Sequence, residues 1–495
     1  MNYKTFFKKN RFIISLLLII SILRVPSFFE PYWYGDEGVY LSLGIALRKG
    51  FLLYRDIFDN KPPLIYLLAA LANGRLFWFR LFLALFNLTT IWFFYHLTSR
   101  FKLNEKSAKI ATSLFALLTT IPLVEGNIAN AEIFLLLPTI LSLYLLSPYF
   151  FSEKEKTFSK LSMFGVGIIF GLGLLFKVPA VFDLGTVIVF LVFFQKNNRV
   201  FNFNFKQIFL ILGYLLPISI VALFFIFRHA FGNFFSSCFL QTMGYLTSWE
   251  TGSHVFSFAS LLKSKLILNA LIAILLLLCL WWQRKKFPSE LKFLAIWFIF
   301  SLLSATLSGR PYAHYLIPII PSLSLLIGLF FQKQEKSPSL IFWLSFFLLL
   351  LTCVRYRFWF YPTFSYYRNF VTFVLQGKDQ KNYFSFFGAS VPEIYEVAEF
   401  TAAVTNPQDK IFVWADEPNL YPLSRRLPAC PYVVAYHIME RNLYNQVGQQ
   451  LWSSPPALII VNTHLKIFPA LSSILSEYFQ IYSSNNFVIF KKSNF

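Results

Sequence analysis

The sequence has few acidic residues and only four cysteines. Cys238, Cys279, Cys353 and Cys430 lie far apart in the 495-residue chain, so they form no metal-binding motif and no disulfide framework. No group of histidines or cysteines has the spacing of a zinc site. We find no internal repeat and no low-complexity tract. These absences exclude a disulfide-stapled domain and a zinc-finger protein.

Apolar residues are abundant, at 57% of the chain, which is more than ordinary soluble proteins contain. Runs of about 17 to 25 apolar residues, each long enough to cross a hydrocarbon core of about 30 Å, recur through the first three quarters. No small-residue cleavage site follows the first run, so we expect it to remain as a signal anchor. The expected fold class is an α-helical polytopic membrane protein with about eleven transmembrane helices, near residues 12–29, 76–98, 108–124, 131–150, 160–176, 178–194, 207–227, 264–282, 290–307, 312–331 and 339–359.

Basic residues outnumber acidic ones, with 44 Lys and Arg against 23 Asp and Glu. A positive excess can indicate nucleic acid as a partner, but here the basic residues collect in every second loop between spans, which is the positive-inside pattern. We therefore expect no nucleic-acid partner. The pattern predicts a multi-pass protein of the inner (plasma) membrane, with its N-terminus in the cytoplasm and everything after about residue 360 outside.

The character of the chain changes after the last apolar run. Helical patterns alternate with short β-type runs, and this alternation predicts a small extracytoplasmic α/β domain. We divide the chain into a membrane domain, 1–360, and a soluble domain, 361–495. The predicted helices are 391–404, 438–452 and 468–479, and the predicted strands are 411–414, 432–434, 458–461 and 487–490.

Unusual polar residues collect in loops that share the predicted outer face. The first of these loops is long and carries Asp36, Glu37, Asp59 and Lys61. An amphipathic helix over 37–49 is expected to lie in the plane of the membrane interface. The other outer loops are 125–132, 176–179, 228–262 and 308–315.

The acidic pair in the first loop is the main candidate for chemistry. An acid at the membrane boundary is costly unless it is solvated, paired or used. Asp36 and Glu37 are either a solvated loop end or a site in which one carboxylate acts as general base toward an acceptor hydroxyl. Lys61 precedes Pro62 and Pro63, so its backbone is biased toward an extended form. Its ammonium either binds a phosphate as a point charge or reaches lipid headgroups.

Further candidates begin later spans. Lys177 interrupts a tight apolar hairpin, where we favour a functional cation. Glu132 either shares a metal or an acceptor with Asp36 or stabilises its helix through the dipole. Arg310 and His314 either face an anionic group or lie at the interface. The candidate substrate contacts are Asp59, Tyr40, Tyr312 and Tyr315.

Carboxylates alone suit a hard ion, so Asp36, Glu37 and Glu132 are also the candidate ligands of a divalent metal, Mg²⁺ or Mn²⁺. Nothing in the sequence requires such a metal.

Several of these segments, in order along the chain, resemble bacterial membrane glycosyltransferases of the GT-C type, relatives of protein O-mannosyltransferases and of the lipid A aminoarabinose transferase. The similarity implies transfer of a sugar, with inversion, from a polyprenyl-phosphate donor to an extracytoplasmic glycan, lipid or protein. By position, Asp36 resembles the catalytic acid and Glu132 the second outer-loop acid, while Lys61 resembles the cation near the donor phosphate, with Lys177 and His314 as companions. Val178 departs from relatives that have a polar residue there. The segments are 36–40, 56–63, 130–132, 175–179, 310–315 and 409–414.

Two other functions use similar residues. A lipid-linked glycan transporter or flippase also needs polar groups in a membrane, but transporters place them near the bilayer midplane. An O-antigen ligase or polymerase shares the lipid substrates but uses a diphosphate-linked donor.

Overall fold

The computed structural model describes residues 3–151, 159–194, 205–241, 265–332 and 337–492. Short 3₁₀ turns occur at Val25–Phe28, Pro122–Val124, Val178–Ala180 and Ala313–Ile319, and a π-helical turn at Ser236–Leu240. Most of the predicted loop 228–262 lies outside the described residues.

The helices in chain order are α1 Tyr3–Arg24, α2 Gly35–Arg48, α3 Leu64–Leu71, α4 Leu76–Arg100, α5 Glu105–Leu118, α6 Ala131–Phe151, α7 Lys160–Phe176, α8 Val181–Phe193, α9 Phe205–Phe227, α10 Phe231–Phe235, α11 Lys265–Trp282, α12 Ser289–Thr306, α13 Ile320–Phe331, α14 Ser337–Tyr356, α15 Thr363–Leu375, α16 Gln380–Ser385, α17 Val391–Ala403, α18 Leu420–Ser424, α19 Ala435–Glu440, α20 Tyr444–Ser453 and α21 Pro469–Leu475.

A helix coincides with every predicted apolar run. Within the described residues, seven helical segments are long and apolar enough to cross a membrane, and three further apolar helices are shorter. The remaining run, 108–124, coincides with α5, which has 14 residues. The predicted fold class, a polytopic helical membrane protein with a small C-terminal sheet domain, is confirmed. The seven long segments are Asn10–Phe28, Leu76–Arg100, Ala131–Phe151, Phe205–Phe227, Lys265–Trp282, Ser289–Thr306 and Ala313–Phe331.

The chain divides into two compact units. The membrane unit comprises Met1–Val25, Leu83–His229 and Cys238–Thr363. The first-loop unit comprises Pro26–Phe82, Ala230–Ser237 and Phe364–Phe495. The last segment of the membrane unit ends at Thr363, and the first outer loop groups with the C-terminal tail.

Close backbone contact between α7 and α9 marks the membrane unit. A Cβ atom on Gly213 would lie 2.0 Å from the carbonyl oxygen of Phe164, and one on Gly167 would lie 2.2 Å from that of Leu210. Small residues let membrane helices approach in this way.

Helix α2 packs against α3 and the tail within the first-loop unit. A Cβ atom on Gly44 would lie 2.6 Å from the backbone carbon of Ala69, so the two helices pack backbone to backbone. The Ser42 hydroxyl donates a hydrogen bond to the carbonyl of Pro418 at 3.0 Å. Every residue of α2 from Glu37 to Ala46 is buried. The apolar face of this helix therefore packs inside the protein and not against lipid, and its expected position in the plane of the interface stays a prediction.

The tail contains a five-stranded sheet in the order β2-β1-β3-β5-β4. Strand β1 is parallel to both β2 and β3, whereas β5 runs antiparallel to β3 and β4. Buried side chains on one side of this sheet form a core with α20 and α21 that includes Phe412, Trp414, Leu451 and Leu471. The strands are β1 Lys410–Trp414, β2 Leu427–Pro428, β3 Leu458–Asn462, β4 Tyr478–Ser483 and β5 Phe487–Lys492.

Three of the four predicted strands are confirmed, as β1, β3 and β5. The predicted strand 432–434 is wrong: its residues are buried in the core as an irregular connection into α19, because a short apolar run can fill a core without joining a ladder. Strand β4 was not predicted, and the predicted helix 468–479 ends at Leu475 instead. The predicted helix 438–452 is divided into α19 and α20.

Candidate active site

Helix α2 presents the acidic pair in its first turn, where carboxylates interact favourably with the helix dipole. Consecutive helical residues point about 100° apart, so the two side chains enter different surroundings. The Asp36 side chain is 30% exposed, whereas that of Glu37 is 2% exposed. The pair therefore separates into an accessible acid and a buried one.

Asp36 lies beside Lys61 and Tyr40. The Lys61 ammonium is 3.4 Å from Asp36 Oδ2, and the Tyr40 hydroxyl donates to the same oxygen at 3.2 Å. The ammonium also lies 4.9 Å from the centroid of the Tyr40 ring. One turn of α2 thus supplies both the acid and an aromatic platform for its cation.

A second carboxylate, Asp59, shares the same lysine. Lys61 Nζ is 3.8 Å from Asp59 Oδ2. The Tyr66 hydroxyl donates to that oxygen at 2.8 Å, and the Asn60 amide donates to Asp59 Oδ1 at 2.7 Å. The Tyr54 hydroxyl binds the Lys61 carbonyl at 2.7 Å. These bonds fix the loop, so Lys61 is held between two carboxylates.

Glu37 belongs to a buried ion network instead. Arg80 Nε and Nη2 bind its two carboxylate oxygens at 3.0 and 2.6 Å. Arg80 Nη1 also lies 3.0 Å from Glu30 Oε2. Trp33 Nε1 and the Tyr366 hydroxyl donate to Glu30 at 2.9 and 2.5 Å. Sequence reasoning missed Arg80, although an arginine inside an apolar run signals a buried acid.

The tail adds an unpredicted histidine to the Asp59 side of the cluster. His437 Nε2, on α19, lies 3.7 Å from Asp59 Oδ1. The side chain is buried, and burial lowers its pKa from 6.5 to about 4 despite the nearby carboxylate of Asp59. No local motif marks a single histidine more than three hundred residues from its partner, so only the fold reveals it.

The membrane unit contains a second polar cluster. Glu132, in the first turn of α6, forms an ion pair with Lys177, the residue that follows α7. The Lys177 ammonium lies 4.6 Å from the centroid of the Tyr315 ring. His314 Nε2 lies 3.6 Å from Glu132 Oε1, and its Nδ1 lies 2.7 Å from Glu125 Oε2. Four predicted candidates therefore meet here.

Glu125 was not among the candidates. It has a left-handed backbone, φ 61°, and is buried. The Asn130 amide donates to the Glu125 carboxylate at 2.9 Å. A glutamate followed by glycine in a predicted outer turn was a usable signal, since a Cβ atom on Gly126 would lie 2.6 Å from the Thr120 nitrogen and only glycine permits this close packing of the turn.

Aromatic rings surround His314. The Tyr312 ring is stacked on the imidazole at 5.7 Å with an interplanar angle of 8°, and the Tyr315 ring lies 4.5 Å away, edge on. Arg310 is half-buried four residues earlier, and its amide lies 3.4 Å from Ser308 Oγ. Tyr312 and Tyr315, which the sequence suggests as substrate contacts, thus lie against His314 at the start of one helical segment.

The three carboxylates considered as metal ligands are each held by a cation. Lys61 lies beside Asp36, Arg80 binds both oxygens of Glu37, and Lys177 pairs with Glu132. No group of three or more His, Cys, Asp or Glu among the described residues could hold a metal ion. These side chains do not fit a metal site.

Comparisons with known proteins agree with this architecture. Residues 60–224 match the family model of dolichyl-phosphate-mannose-protein mannosyltransferases, and residues 392–493 match that of the C-terminal domain of the competence-induced protein Ccs4. No curated protein sequence matches the chain significantly.

Solved structures extend the match over nearly the whole chain. Crystal structures of ArnT from Cupriavidus metallidurans, bound to undecaprenyl phosphate and in the apo state, both align with a TM-score of 0.56. Their sequence identities are 14% and 13%, and 98% of each chain is covered. The oligosaccharyltransferase AglB from Archaeoglobus fulgidus, in complex with an inhibitory peptide and a dolichol-phosphate, has a TM-score of 0.46 at 12% identity, covering 99% of this chain and 75% of AglB.

Proposed function

We infer that the chain is a membrane glycosyltransferase of the GT-C superfamily, and we propose that Asp36 is the base that activates its acceptor. The mannosyltransferase family match within the first half of the chain and the fold shared with ArnT support the class. The observation that supports the residue is the contrast inside the acidic pair. Asp36 is accessible and Glu37 is buried against Arg80.

The donor we propose is a sugar linked to a polyprenyl phosphate, and the acceptor is an extracytoplasmic glycan, lipid or protein. Asp36 takes the proton of the acceptor group as its heteroatom forms a bond to the anomeric carbon. The bond between that carbon and the phosphate oxygen breaks, and the departing polyprenyl phosphate keeps the electron pair. A single displacement of this kind inverts the anomeric configuration.

Lys61 is suited to the departing phosphate. An ammonium has three N–H donors, so Lys61 can approach Asp36 and Asp59 and still donate to a phosphate oxygen. Its loop is fixed by the Tyr54 and Tyr66 hydroxyls. We propose that this fixed cation offsets the charge that develops on the phosphate.

In the membrane unit we propose Lys177, His314 and Arg310 as further contacts to donor phosphate. Support comes from the fixed position of the first two. Glu132 pairs with Lys177, and Glu125 lies within hydrogen-bonding distance of His314. On this proposal Glu132 positions cations, while Tyr312 and Tyr315 supply the apolar faces against which a sugar packs.

We propose that the protein lies in the plasma membrane with its N-terminus in the cytoplasm and its tail outside. The alternation of basic loops supports this orientation. Attaching a membrane-impermeant biotin to single cysteines introduced near residues 106 and 408 tests it. In intact cells we expect labelling only at the site near residue 408. Labelling only near residue 106 would show that the orientation is the reverse of the one proposed.

Removal and restoration of the gene test the function. Cells that lack the gene are given the wild type, Asp36→Asn or the matched control Glu396→Gln, whose carboxylate is exposed on α17. Mass spectrometry of the surface glycans, lipids and glycoproteins then identifies the sugar that is lost. We expect the wild type and Glu396→Gln to restore it and Asp36→Asn to fail. An unchanged glycan profile without the gene would contradict the function.

The rival functions give different results in purified membranes. A ligase or polymerase would require a diphosphate-linked donor, whereas we expect transfer from a monophosphate-linked one. A flippase would move lipid in proteoliposomes without transfer to any acceptor.

A further inference from the structure

The segment that carries Asp59 is fastened to the C-terminal tail. The Phe58 amide donates to the Pro431 carbonyl at 2.9 Å, and the Phe58 ring is buried in the core of the tail. This ring also lies edge-on to the His437 imidazole, with 5.1 Å between the centroids. His437 is therefore held in a fixed position next to Asp59, within the first-loop unit.

We propose that His437 is a positioning residue for the proposed transfer reaction: as a neutral side chain beside Asp59, it keeps Lys61 shared between Asp59 and Asp36. It touches neither substrate nor Lys61 in this role and acts through Asp59. The proposal rests on the proposed function, because it concerns how Asp36 is kept basic.

The Lys61 ammonium is the charge that two carboxylates share in this arrangement. Its ammonium is 3.4 Å from Asp36 and 3.8 Å from Asp59, so neither carboxylate holds it alone. The attraction between two charges varies inversely with their separation. A positive charge at position 437 would neutralise Asp59 and repel Lys61. Lys61 would then pair with Asp36 only, and a carboxylate bound closely by a cation is a weaker base.

Burial lowers the pKa of His437 and so favours its neutral form, although the carboxylates of Asp59 and Asp36 act in the opposite direction. Asp59, Lys61 and Asp36 face it from the first loop, and Arg441 faces it from the residue after α19. Its Nδ1 has no hydrogen-bond partner in the described part of the chain, so a proton there would be unsolvated. A buried neutral histidine also fills the space beside Asp59 without offering it a competing cation.

The experiment measures transfer rates over a range of pH in membranes from cells that carry each variant, with the cells' own donor and acceptor pools. The variants are His437→Gln, His437→Arg, Asp59→Asn and the double variant His437→Arg with Asp59→Asn. His464→Arg is the control, because His464 is an exposed histidine of the same domain.

We expect His437→Arg to lower the rate at neutral pH several-fold, because the rate of general-base catalysis falls as the pKa of the base falls. The acid-side limb of its pH profile should move to lower pH, whereas a folding defect would lower the rate without moving the limb. His437→Gln and His464→Arg should keep the wild-type profile. Asp59→Asn should shift the limb in the same direction, and the double variant should be no slower than the slower single variant, since both changes release the same lysine.

Equal impairment by His437→Gln and His437→Arg, or an unmoved acid limb in His437→Arg, would overturn the proposal. If His437→Arg does not accumulate in the membrane, the comparison of His437→Gln with Asp59→Asn decides, because only the latter should shift the profile. A normal rate in Asp36→Asn would instead refute the catalytic assignment. An inactive Asp36→Asn together with a wild-type His437→Arg would refute only the role of His437.

Discussion

Arg80 donates two hydrogen bonds to Glu37, of 3.0 and 2.6 Å, in a buried position. This pair joins α4 to α2, and therefore holds the helix on which Asp36 stands. Its geometry explains why two adjacent acids in the sequence have different surroundings. Glu37 is buried against Arg80, whereas Asp36 is accessible and is the base that we propose.

Replacement of Arg80 should destabilise the protein far more than replacement of Glu37. Arg80→Met leaves the carboxylates of Glu30 and Glu37 buried without their cation, a type of change that costs about 3–5 kcal/mol. Glu37→Gln leaves one guanidinium with one carboxylate and should be milder. Thermal unfolding in detergent measures the difference, with Lys381→Ala as control because its ion pair is exposed. Equal stability of the Arg80 and Lys381 variants would contradict the buried network.

Contact between α2 and α3 should control the distance from Asp36 to Lys61, because α2 carries the acid and α3 follows the lysine. Gly44→Ala forces a Cβ atom against the Ala69 backbone and should cost about 1–3 kcal/mol, with a lower transfer rate. Gly35→Ala, in the same helix, meets nothing within 4 Å and is the matched control. Comparable stability and activity of the two variants would exclude close packing at Gly44.

Burial of His437 should make stability depend on pH. Its folded-state pKa is about 4 against 6.5 for the free side chain. Because this pKa is depressed, the histidine contributes at most about 3 kcal/mol to the free energy of unfolding. The contribution is present above pH 6.5 and is lost as the pH falls toward 4. The advantage in apparent Tm of the wild type over His437→Gln should therefore shrink on acidification.

The pKa of Glu417 is shifted in the opposite direction to that of His437, so Glu417 provides a control. Burial, with the neighbouring Asp416, raises its pKa from 4.5 to about 7. A carboxyl with a raised pKa favours folding at low pH, and this contribution is lost as the pH rises from 4.5 to 7. Glu417→Gln should thus gain stability relative to the wild type as the pH rises. Parallel pH responses of the two variants would contradict these assignments.

Variants of the ion pair between Lys177 and Glu132 distinguish a structural role of the lysine from a functional one. Lys177→Gln leaves the buried Glu132 unpaired, so it should lower both the thermal midpoint and the transfer rate. The double variant Lys177→Gln with Glu132→Gln removes both charges and should recover much of the midpoint. If Lys177 binds donor phosphate, the rate should stay low in the double variant. Recovery of both quantities would make the lysine purely structural.

Much of the fold could be predicted from apolar runs, since span length and hydropathy are local properties. A helix lies at each of the eleven predicted runs. The prediction of a strand at 432–434 was wrong, because a short buried apolar run has the same sequence pattern in a strand and in an irregular core segment. Strand β4 was not predicted, because an apolar residue at an exposed position, Phe479, obscures the alternation of apolar and polar side chains.

The candidate site could be predicted where neighbours in space are also neighbours in sequence, or where they begin spans on the same predicted face, as Glu132 and His314 do. Asp36, Asp59 and Lys61 lie in one loop, and the structure places them together. Arg80 and His437 come from other segments, so their pairing with Glu37 and Asp59 depends on packing. The sequence shows which groups are polar, and the fold shows which of them are neutralised.

The assignment of Asp36 as the base is tested by comparing the transfer rate of Asp36→Asn with that of Glu37→Gln in membranes containing equal amounts of folded protein. A positioned general base contributes about 10²- to 10⁴-fold. We predict a loss of that size for Asp36→Asn, with most of the activity kept in Glu37→Gln. A normal rate in Asp36→Asn, or a larger loss in Glu37→Gln, would contradict the assignment of Asp36 as the base.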